Sequence, residues 1–349
     1  MNVIGLDIGG ANLKFATNSG QAVSLPFPLW QRVDELGAVL RDTISEFPPA
    51  DLVAVTMTGE LADCFRTKAE GVDRILTAVE NAVGHAPVFV WQTGAEFVSP
   101  ATAREIPLLV AAANWHALAT WCGRICPAGR CVMLDIGSTT SDFIPMLDGV
   151  PITRGFTDVE RLTASELVYS GVRRTPIMSL VRTVPFRDDW VPLAAEMFAT
   201  TLDVYLLLGD LPESDCCETA NGQPATRAAA HDRLARNVCC DTTEFSMDDA
   251  VRLARFLANV HQDRLAGSLR RMIAADFLSS DDEESAVDQV IVSGSGVFLA
   301  RRLVETQAAL REARVTNLAE CQSADVAAAA CAVAVAQLAS ERLASSVLP

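Results

Sequence analysis

The chain has 349 residues, half of them hydrophobic, which is enough for about two domains with cores of their own. Its 28 basic and 44 acidic residues give a formal net charge of −16, which argues against nucleic acid and anionic membranes as partners. The ten cysteines are too sparse for a disulfide scaffold, and the longest apolar stretch, residues 326–336, is too short to span a bilayer. Because the chain enters a strand at once, we expect no secretory signal and predict a cytoplasmic protein.

Strands and helices alternate over the first third of the chain. Apolar periodicity predicts strands over residues 2–8, 12–17, 52–57 and 87–91, and helices around 33–47, 72–83 and 107–120. Such alternation favours a partly parallel sheet covered by helices. The pattern breaks at glycine, proline and charged residues between Gly123 and Arg130, where we predict a domain boundary.

The second part opens with another strand pair and continues mostly as helix. We expect helices over residues 163–170, 191–208, 226–238 and 246–278, with Thr163 capping the first, and loops over 209–225 and 279–285. A strand at 289–292, a helix from Val297, a short strand near 314–318 and an alanine-rich helix over 324–343 follow. We therefore predict an α/β protein of two domains around a central cleft. The first covers residues 1–122, with the C-terminal helix 324–349 packing back on it. The second covers 130–323 and carries a mostly helical insertion at about 163–285.

One short pattern occurs twice in the chain, 128 residues apart. Residues 3–16, VIGLDIGGANLKFA, align without gaps on residues 131–144, CVMLDIGSTTSDFI. Each copy is typical of a buried strand, an aspartate, a glycine turn and a second strand. Such turns expose backbone N–H groups that hold phosphate oxygens, and the neighbouring carboxylate can hold a hydrated Mg²⁺. The repeat predicts two like-folded domains with a phosphorylated small molecule between them.

Three groups of residues are candidates for binding that ligand. They are Asp7, Gly9, Gly10, Asn12 and Lys14; then Asp135, Gly137, Ser138, Thr139 and Thr140, followed by Asp142; and finally Gly294 and Gly296 at a strand-to-helix junction. Asp7 and Asp135 are also the candidate Mg²⁺ ligands. Lys14 could neutralise a phosphate, with a solvated strand position as its alternative. Gly294 and Gly296 are candidates because they precede a helix, and a helix N-terminus favours the negative charge of a phosphate.

The order of these groups resembles the superfamily that contains actin, the heat-shock chaperone ATPases, the sugar and acetate kinases and exopolyphosphatase. In that superfamily two RNase-H-like domains close over a nucleotide, and the resemblance covers nearly the whole chain. It implies the actin-like ATPase fold, with phosphates and Mg²⁺ at the two hairpins. It also implies that Gly294 and Gly296 lie at the nucleoside or its replacement, with ATP as a possible ligand.

A finer resemblance lies in residues 56–65, TMTGELADCF, which are similar to the signature of a hydantoinase/oxoprolinase-like group linked to tetrahydromethanopterin-dependent C1 metabolism. Residues 112–115 (AANW), 201–205 (TLDVY) and 221–226 (NGQPAT) support the match. Archaeal members of the group make methanofuran, joining a tyramine-type phenol to an aminomethylfuran diphosphate and releasing pyrophosphate. The resemblance therefore implies a transferase of this kind.

A phenol that attacks such a diphosphate has an ordinary pKa of about 10, so a base or a nearby positive charge should help. Glu60 and Asp63 are candidate catalytic bases because they follow the end of a strand, with a helix cap or a surface acid as their alternative. Asp135 is a third candidate, since it could act on an acceptor hydroxyl if the reaction were phosphoryl transfer. Further candidates in the first half are Arg66, Lys68, Glu96 and Asn114.

Two other functions stay open at this point. An ATP-dependent kinase or a hydantoinase-type amidohydrolase would use the same fold, although the chain lacks the length and the nucleophile system of large hydantoinases. A non-catalytic nucleotide sensor would bind ATP without turnover. We expect the adjacent cysteine pairs at 216–217 and 239–240 to be ordinary thiols rather than zinc ligands, because neighbouring side chains diverge. We expect His261 to be structural, and the sequence leaves room for an oligomer.

Overall fold

The computed structural model of the chain describes residues 1–277, 287–320 and 323–347. The strands are β1 (Val3–Ile8), β2 (Asn12–Thr17), β3 (Ala22–Pro26), β4 (Leu52–Met57), β5 (Val88–Gln92), β6 (Glu96–Val98), β7 (Arg130–Ile136), β8 (Ser141–Leu147), β9 (Val150–Pro151), β10 (Leu167–Val168), β11 (Thr183–Phe186), β12 (Asp189–Pro192), β13 (Gln289–Ser293) and β14 (Arg314–Asn317). The helices are α1 (Leu29–Arg32), α2 (Leu36–Ser45), α3 (Lys68–Ala82), α4 (Pro100–Glu105), α5 (Pro107–Val110), α6 (Asn114–Cys122), α7 (Asp158–Ala164), α8 (Ile177–Leu180), α9 (Thr201–Leu208), α10 (Arg227–Asn237), α11 (Met247–Asp276), α12 (Val297–Thr306), α13 (Ala324–Ala328) and α14 (Ala330–Val347).

Two mixed sheets form the framework. The first sheet has the strand order β3-β2-β1-β4-β5-β6, and the second has the order β10-β8-β7-β13-β14, with β9 beside β8. In the first, β1, β4 and β5 run parallel, and in the second, β7, β13 and β14 run parallel. Each sheet contains one copy of the repeated sequence as an antiparallel hairpin, β1–β2 and β7–β8. The sequence repeat is therefore a structural repeat.

Helices α6 and α14 lie between the two sheets. One hydrophobic cluster joins β1 and β4 of the first sheet to β7, β8 and β13 of the second through the apolar residues of these two helices. A second cluster packs α2 and α3 on the other face of the first sheet, and a third packs α9 to α12 on the second sheet. We call residues before Gly123 the first half and residues 130–317 the second half. The domain limits 1–122 and 130–323 stay a prediction.

Three predicted helices were wrong in their extent. Residues 107–120 form two helices, α5 and α6, because Ala112 has a positive φ of 48° that interrupts the helix. The expected helix over 163–170 is instead α7, which begins after Thr157 in a capping box with Glu160, so Thr163 is not its N-cap. Of residues 191–208 only α9 is helical, and the residues before it include strands β11 and β12.

The alanine-rich helix predicted over 324–343 is divided into α13 and α14. The other elements agree with their predicted positions to within a few residues, including the long helix α11 and the strand-to-helix step from β13 to α12. The predicted loop over 279–285 lies outside the described residues. None of the helices that the structure describes has the length and apolarity needed to cross a membrane.

Candidate active site

A cavity of about 360 Å³, which we call the cleft cavity, lies where the two repeated hairpins meet. The first half contributes the β1–β2 turn, the segment after β4 and the start of α6. The second half contributes the β7–β8 turn, α7 and the residues after β10. The lining residues include Gly9, Gly10, Ala11, Asn12, Lys14, Thr58, Glu60, Asn114, Trp115, Thr139, Thr140, Asp142, Asp158, Arg161, Tyr169 and Arg174. The two turns thus share one cavity.

Asp7 and Lys14 form the charged pair of the first hairpin. They are direct cross-strand partners, and the Lys14 Nζ donates to Asp7 Oδ2 over 3.0 Å. The Asp7 carboxylate is the main reason why the pKa of Lys14 is raised, so this lysine is a fixed cation at the cavity wall. Asp7 is 1% exposed, and its second oxygen, Oδ1, has no hydrogen-bond partner. A buried carboxylate oxygen without a donor is a candidate ligand for a cation.

Asp135 occupies the matching position in the second hairpin. Its cross-strand partner is Asp142. Burial, followed by the charge of Asp142, raises the pKa of Asp135 to about 6. Lys14 lowers this pKa and Asp7 raises it, which shows that the charged groups of the two hairpins lie within electrostatic reach of one another.

Arg161 on α7 is the cation beside the second hairpin. Its Nη1 donates to Asp142 Oδ1 over 2.8 Å, and its Nη2 donates to the carbonyl of Glu166 over 3.2 Å. The guanidinium carbon lies 3.8 Å from the ring centroid of Trp115, which belongs to the first half. Arg161 is 1% exposed, and its Nε–H has no partner.

Glu60 is the buried acid of the cavity. It follows β4, is 1% exposed, and its Oε2 has no hydrogen-bond partner. Burial raises the pKa of Glu60 to about 7, while the positive charge of Lys68 acts in the opposite direction. Lys68 pairs with Asp158 across the two halves over 3.3 Å. A carboxyl group with this pKa can exchange a proton near neutral pH.

Other predicted site residues lie outside the cavity lining, and Asp7 and Asp135, the predicted Mg²⁺ ligands, are among them. Asp63, Arg66 and Glu96 are exposed on the surface of the first half. A Cβ on Gly294 would lie 2.6 Å from Asp135 Oδ1, and one on Gly296 would lie 2.5 Å from Ile136 Cγ2, so this turn packs tightly behind the second hairpin. Gly137 and Ser138 adjoin the turn without lining the cavity, and their carbonyl groups accept backbone bonds from residues 172–174. The proposed binding roles of these four residues stay predictions.

Several cavity residues were missed by sequence reasoning. Asp158 and Arg161 were hidden because the helix that carries them was expected to begin five or more residues later. Tyr169 and Arg174 follow β10, a strand of two residues that has no periodic signal. Trp115 had a signal, since it belongs to the AANW segment.

Two of the short segments quoted above, TLDVY and NGQPAT, have a structural role. Asp203 in TLDVY forms a buried ion pair with Arg233 over 2.7 Å, and Arg233 also donates to Asn221 in NGQPAT. His261 bridges the hydroxyls of Ser170 and Tyr205 at 2.9 and 2.7 Å, in agreement with the structural role expected for it. Among the described residues, no cluster of three or more histidine, cysteine or acidic side chains is placed to hold a metal ion.

The family model named hydantoinase/oxoprolinase matches residues 51–342 of the chain. The chain belongs to the hydantoinase/oxoprolinase family. The chain is 32% identical over 345 residues to the (4-{4-[2-(gamma-L-glutamylamino)ethyl]phenoxymethyl}furan-2-yl)methanamine synthase of Methanocaldococcus jannaschii, with 98% of each chain covered. It is 27% identical over 201 residues to the enzyme of the same name from Methanococcus vannielii, covering 57% of this chain and 86% of that one. Both relatives are synthases, which confirms the prediction of an enzyme.

Among solved structures, the nucleotide-free acetone carboxylase from a study of ATP-dependent acetone carboxylation superposes with a TM-score of 0.57 at 12% identity. The match covers 96% of the present chain and 70% of the carboxylase chain. At this identity the similarity concerns the fold alone. Together with the two hairpin-bearing sheets and the helices between them, it confirms the predicted actin-like ATPase fold.

Proposed function

We propose that the chain forms the aryl ether for which its relatives are named, in the synthesis of methanofuran. The acceptor is a γ-glutamyl-tyramine type phenol, and the donor is an aminomethylfuran whose second methylene carries a diphosphate. One observation carries the proposal: the cleft cavity combines a buried carboxyl with a spare oxygen, Glu60, with two hairpin turns suited to phosphate. The printed name of both relatives, which contains a phenoxymethyl furan and a methanamine, supports this substrate pair.

In the proposed step the phenol oxygen attacks the methylene carbon of the furan. The new ether C–O bond forms while the C–O bond to the diphosphate breaks, and the electron pair leaves with the pyrophosphate. The phenolic proton passes to the Glu60 carboxylate. A pKa of about 7 suits this role, because the group is substantially ionised at neutral pH and still basic enough to accept a proton.

The diphosphate is proposed to lie between the two hairpin turns. Lys14 supplies a fixed positive charge there, and Gly10 and Thr139 of the two turns line the same space. Preorganised positive charge and N–H donors stabilise the negative charge that grows on a leaving group. The net charge of −16 and the enclosed cavity support a small phosphorylated substrate in the cytoplasm rather than nucleic acid or a membrane surface.

The two hairpin aspartates fit Mg²⁺. This ion keeps several waters and usually takes one or two carboxylates together with phosphate oxygens. Asp7 has a buried oxygen with no donor, and Asp135 lies within its electrostatic reach. When bound, Mg²⁺ would neutralise charge on the diphosphate. Asp7 and Asp135 would hold it, and Lys14 would remain to bind the phosphate.

An ATP-dependent reaction of the same fold is the second candidate. It is favoured by Asp135, a carboxyl with a pKa of about 6 that could accept a proton from a hydroxyl nucleophile. Against it, the Gly294–Gly296 turn is packed on Ile136 and Val172, and Phe298 just beyond it packs on Tyr205 with ring centroids 4.9 Å apart. Such packing favours a diphosphate over an adenosine-bearing ligand.

The test is to mix the aminomethylfuran diphosphate with γ-glutamyl-tyramine and measure ether and pyrophosphate without ATP. We expect equal amounts of both products. Glu60→Gln should lower kcat about 10²- to 10⁴-fold, because it removes the base. Asp63→Asn is the matched control, since Asp63 lies in the same segment but is exposed and outside the cavity. A requirement for ATP, or full activity of Glu60→Gln, would contradict the proposal.

A further inference from the structure

The two hairpins differ at one corresponding position in a way that changes the charge of the cavity. In the first, the cross-strand partner of the aspartate is a cation, Lys14. In the second hairpin the same position holds Asp142, so the carboxylates of Asp135 and Asp142 lie side by side. The structure supplies the missing positive charge from elsewhere, because Arg161 on α7 pairs with Asp142 at 2.8 Å. Each hairpin thus has one cation, built in by different means.

Arg161 is held in a fixed orientation and has unused donor capacity. Asp142 accepts a hydrogen bond from Nη1, and the Glu166 carbonyl accepts one from Nη2. The Trp115 ring supports the flat face of the guanidinium, with 3.8 Å between the guanidinium carbon and the ring centroid. Despite being 1% exposed, the residue keeps an Nε–H without any partner. Buried guanidinium N–H groups are normally satisfied, so an unsatisfied one beside a cavity indicates a position completed by a ligand.

We propose that Arg161 binds the diphosphate of the donor substrate, and the pyrophosphate product, on the side of the cavity opposite Lys14. The inference rests on the proposed function for the identity of the ligand. Two cations, Lys14 paired with Asp7 in the first hairpin and Arg161 of α7 paired with Asp142 in the second, match a ligand that has two phosphoryl groups. Arginine forms directed hydrogen bonds to phosphate oxygens that lysine cannot reproduce.

The arrangement also joins the two halves at the ligand. Arg161 belongs to the second half and Trp115 to the first, so the aromatic support of the guanidinium face exists only while the halves are together. Lys68 and Asp158 form a second contact between the halves at the beginning of α7. Trp115 is therefore a positioning residue, which acts on the ligand through Arg161.

The test measures binding without chemistry, by titration calorimetry of the full chain with pyrophosphate and with orthophosphate in the presence of Mg²⁺. Arg161→Lys keeps the charge but loses the Nε–H and the flat fork. We expect it to weaken pyrophosphate binding by roughly tenfold to a hundredfold and orthophosphate binding much less. Arg154→Lys is the control, because Arg154 also approaches Glu166 but does not line the cavity. Unchanged pyrophosphate affinity, or an equal loss for both ions, would overturn the proposal.

A pair of Trp115 variants keeps the test decisive if Arg161→Lys does not fold. Trp115→Phe retains an aromatic face and should bind pyrophosphate within about twofold of the wild type, whereas Trp115→Leu should bind it several-fold more weakly. Equal affinity in both variants would refute the role of Arg161. Failure of the ether-forming assay with normal Arg161-dependent pyrophosphate binding would instead refute the proposed reaction and leave the anion site standing.

Discussion

At the scale of single residues, Glu60 and Asp135 have raised pKa values in different surroundings. The Glu60 shift comes mainly from burial, with its spare oxygen at the cavity. The Asp135 shift combines burial with a like-charged neighbour, Asp142, and is opposed by Lys14. Carboxyls whose environments separate their pKa values commonly take different roles in one site. Here Glu60 suits proton transfer, and Asp135 suits a position beside phosphate and cation.

The pH dependence of Glu60 gives the first prediction. Its pKa in the folded chain, about 7, exceeds the ordinary 4.5, so the folded state favours the protonated form. The corresponding stability is complete below pH 4.5 and is lost as the pH rises through about 7, on the order of 3 kcal/mol in all. The activity should run the other way, with kcat/KM rising through pH 7 as the carboxylate forms.

Chemical denaturation of wild type and Glu60→Gln between pH 4 and pH 9 measures the stability part. We expect the variant to gain stability relative to the wild type only above pH 4.5, with the largest gain beyond pH 7. Asp63→Asn is the control for removing a carboxylate from the same segment, because Asp63 is exposed. A constant difference between wild type and Glu60→Gln across this range would mean that Glu60 does not titrate as described.

Gly294 gives a second prediction at this scale. It has a φ of 86°, and a Cβ there would meet both the Ile136 carbonyl and Asp135 Oδ1. Gly209 has a similar φ of 79° but open space around it, so Gly209→Ala reports the backbone strain alone. We expect thermal or chemical unfolding to show a loss of about 1 kcal/mol for Gly209→Ala and more than about 3 kcal/mol for Gly294→Ala.

Activity provides the second readout for this pair. Gly294→Ala displaces the Asp135 carboxylate, so it should also lower kcat. Gly209→Ala should leave kcat unchanged, because Gly209 follows the last turn of α9 and does not line the cleft cavity. Equal stability losses in the two variants would show that the space beside Asp135 is not required.

At the scale of elements, α14 decides how closely the halves can approach. Its alanines face the first sheet, and a Cβ on Gly5 of β1 would collide with the Ala332 carbonyl and come within 3.0 Å of the Ala336 side chain. The same helix contacts α6, whose first turn carries Trp115 at the cavity. Small residues on both surfaces therefore bring β1, and with it Asp7, close to the middle of the molecule.

Substitution of Gly5 tests this packing. Gly5→Ala should cost more than about 3 kcal/mol of unfolding free energy, because neither the β1 backbone nor the α14 backbone can give way without separating the two elements. Gly37→Ala in α2 is the control, since the nearest atom to its Cβ is 3.9 Å away and alanine favours helix by about 1 kcal/mol. A Gly5→Ala variant as stable as Gly37→Ala would rule out this close approach.

At the scale of the whole molecule, the cleft cavity is shared by both halves. The Lys68–Asp158 pair and the Arg161–Trp115 contact are the bridging contacts described above, and the Lys68–Asp158 pair is partly exposed, with little stability of its own. A ligand that contacts both hairpins should therefore contribute strongly to holding the halves together. Such a ligand stabilises the folded chain in proportion to the logarithm of its concentration over Kd.

The corresponding prediction compares ligands by thermal unfolding. Pyrophosphate with Mg²⁺ should raise Tm by several degrees, more than ADP with Mg²⁺ and more than either component alone. Hydrogen exchange should show the protection in α7 and in the two hairpin turns, because these segments line the cavity from both sides. A larger rise with ADP than with pyrophosphate would favour the ATP-dependent alternative.

The sequence alone determined the two hairpins, the actin-like fold and the family. Strand alternation, an aspartate at a strand end and a glycine turn are local features that adjacent residues specify, so a repeat of 14 residues was enough to place Asp7, Lys14, Asp135 and Asp142 on matching strands. The local signal also identified Glu60 as a candidate, and its burial beside the cavity supports that choice over Asp63, which is exposed.

Only the tertiary structure decided which charges meet. Trp115 and Arg161 lie 46 positions apart and Lys68 and Asp158 lie 90 apart, so neither pair leaves a local pattern in the chain. The raised pKa values of Glu60 and Asp135 likewise depend on burial and on neighbours brought in from other elements. Helix and turn preferences act over a few residues, whereas solvent exclusion and electrostatics act through space, and the chemistry of this cavity depends on the latter.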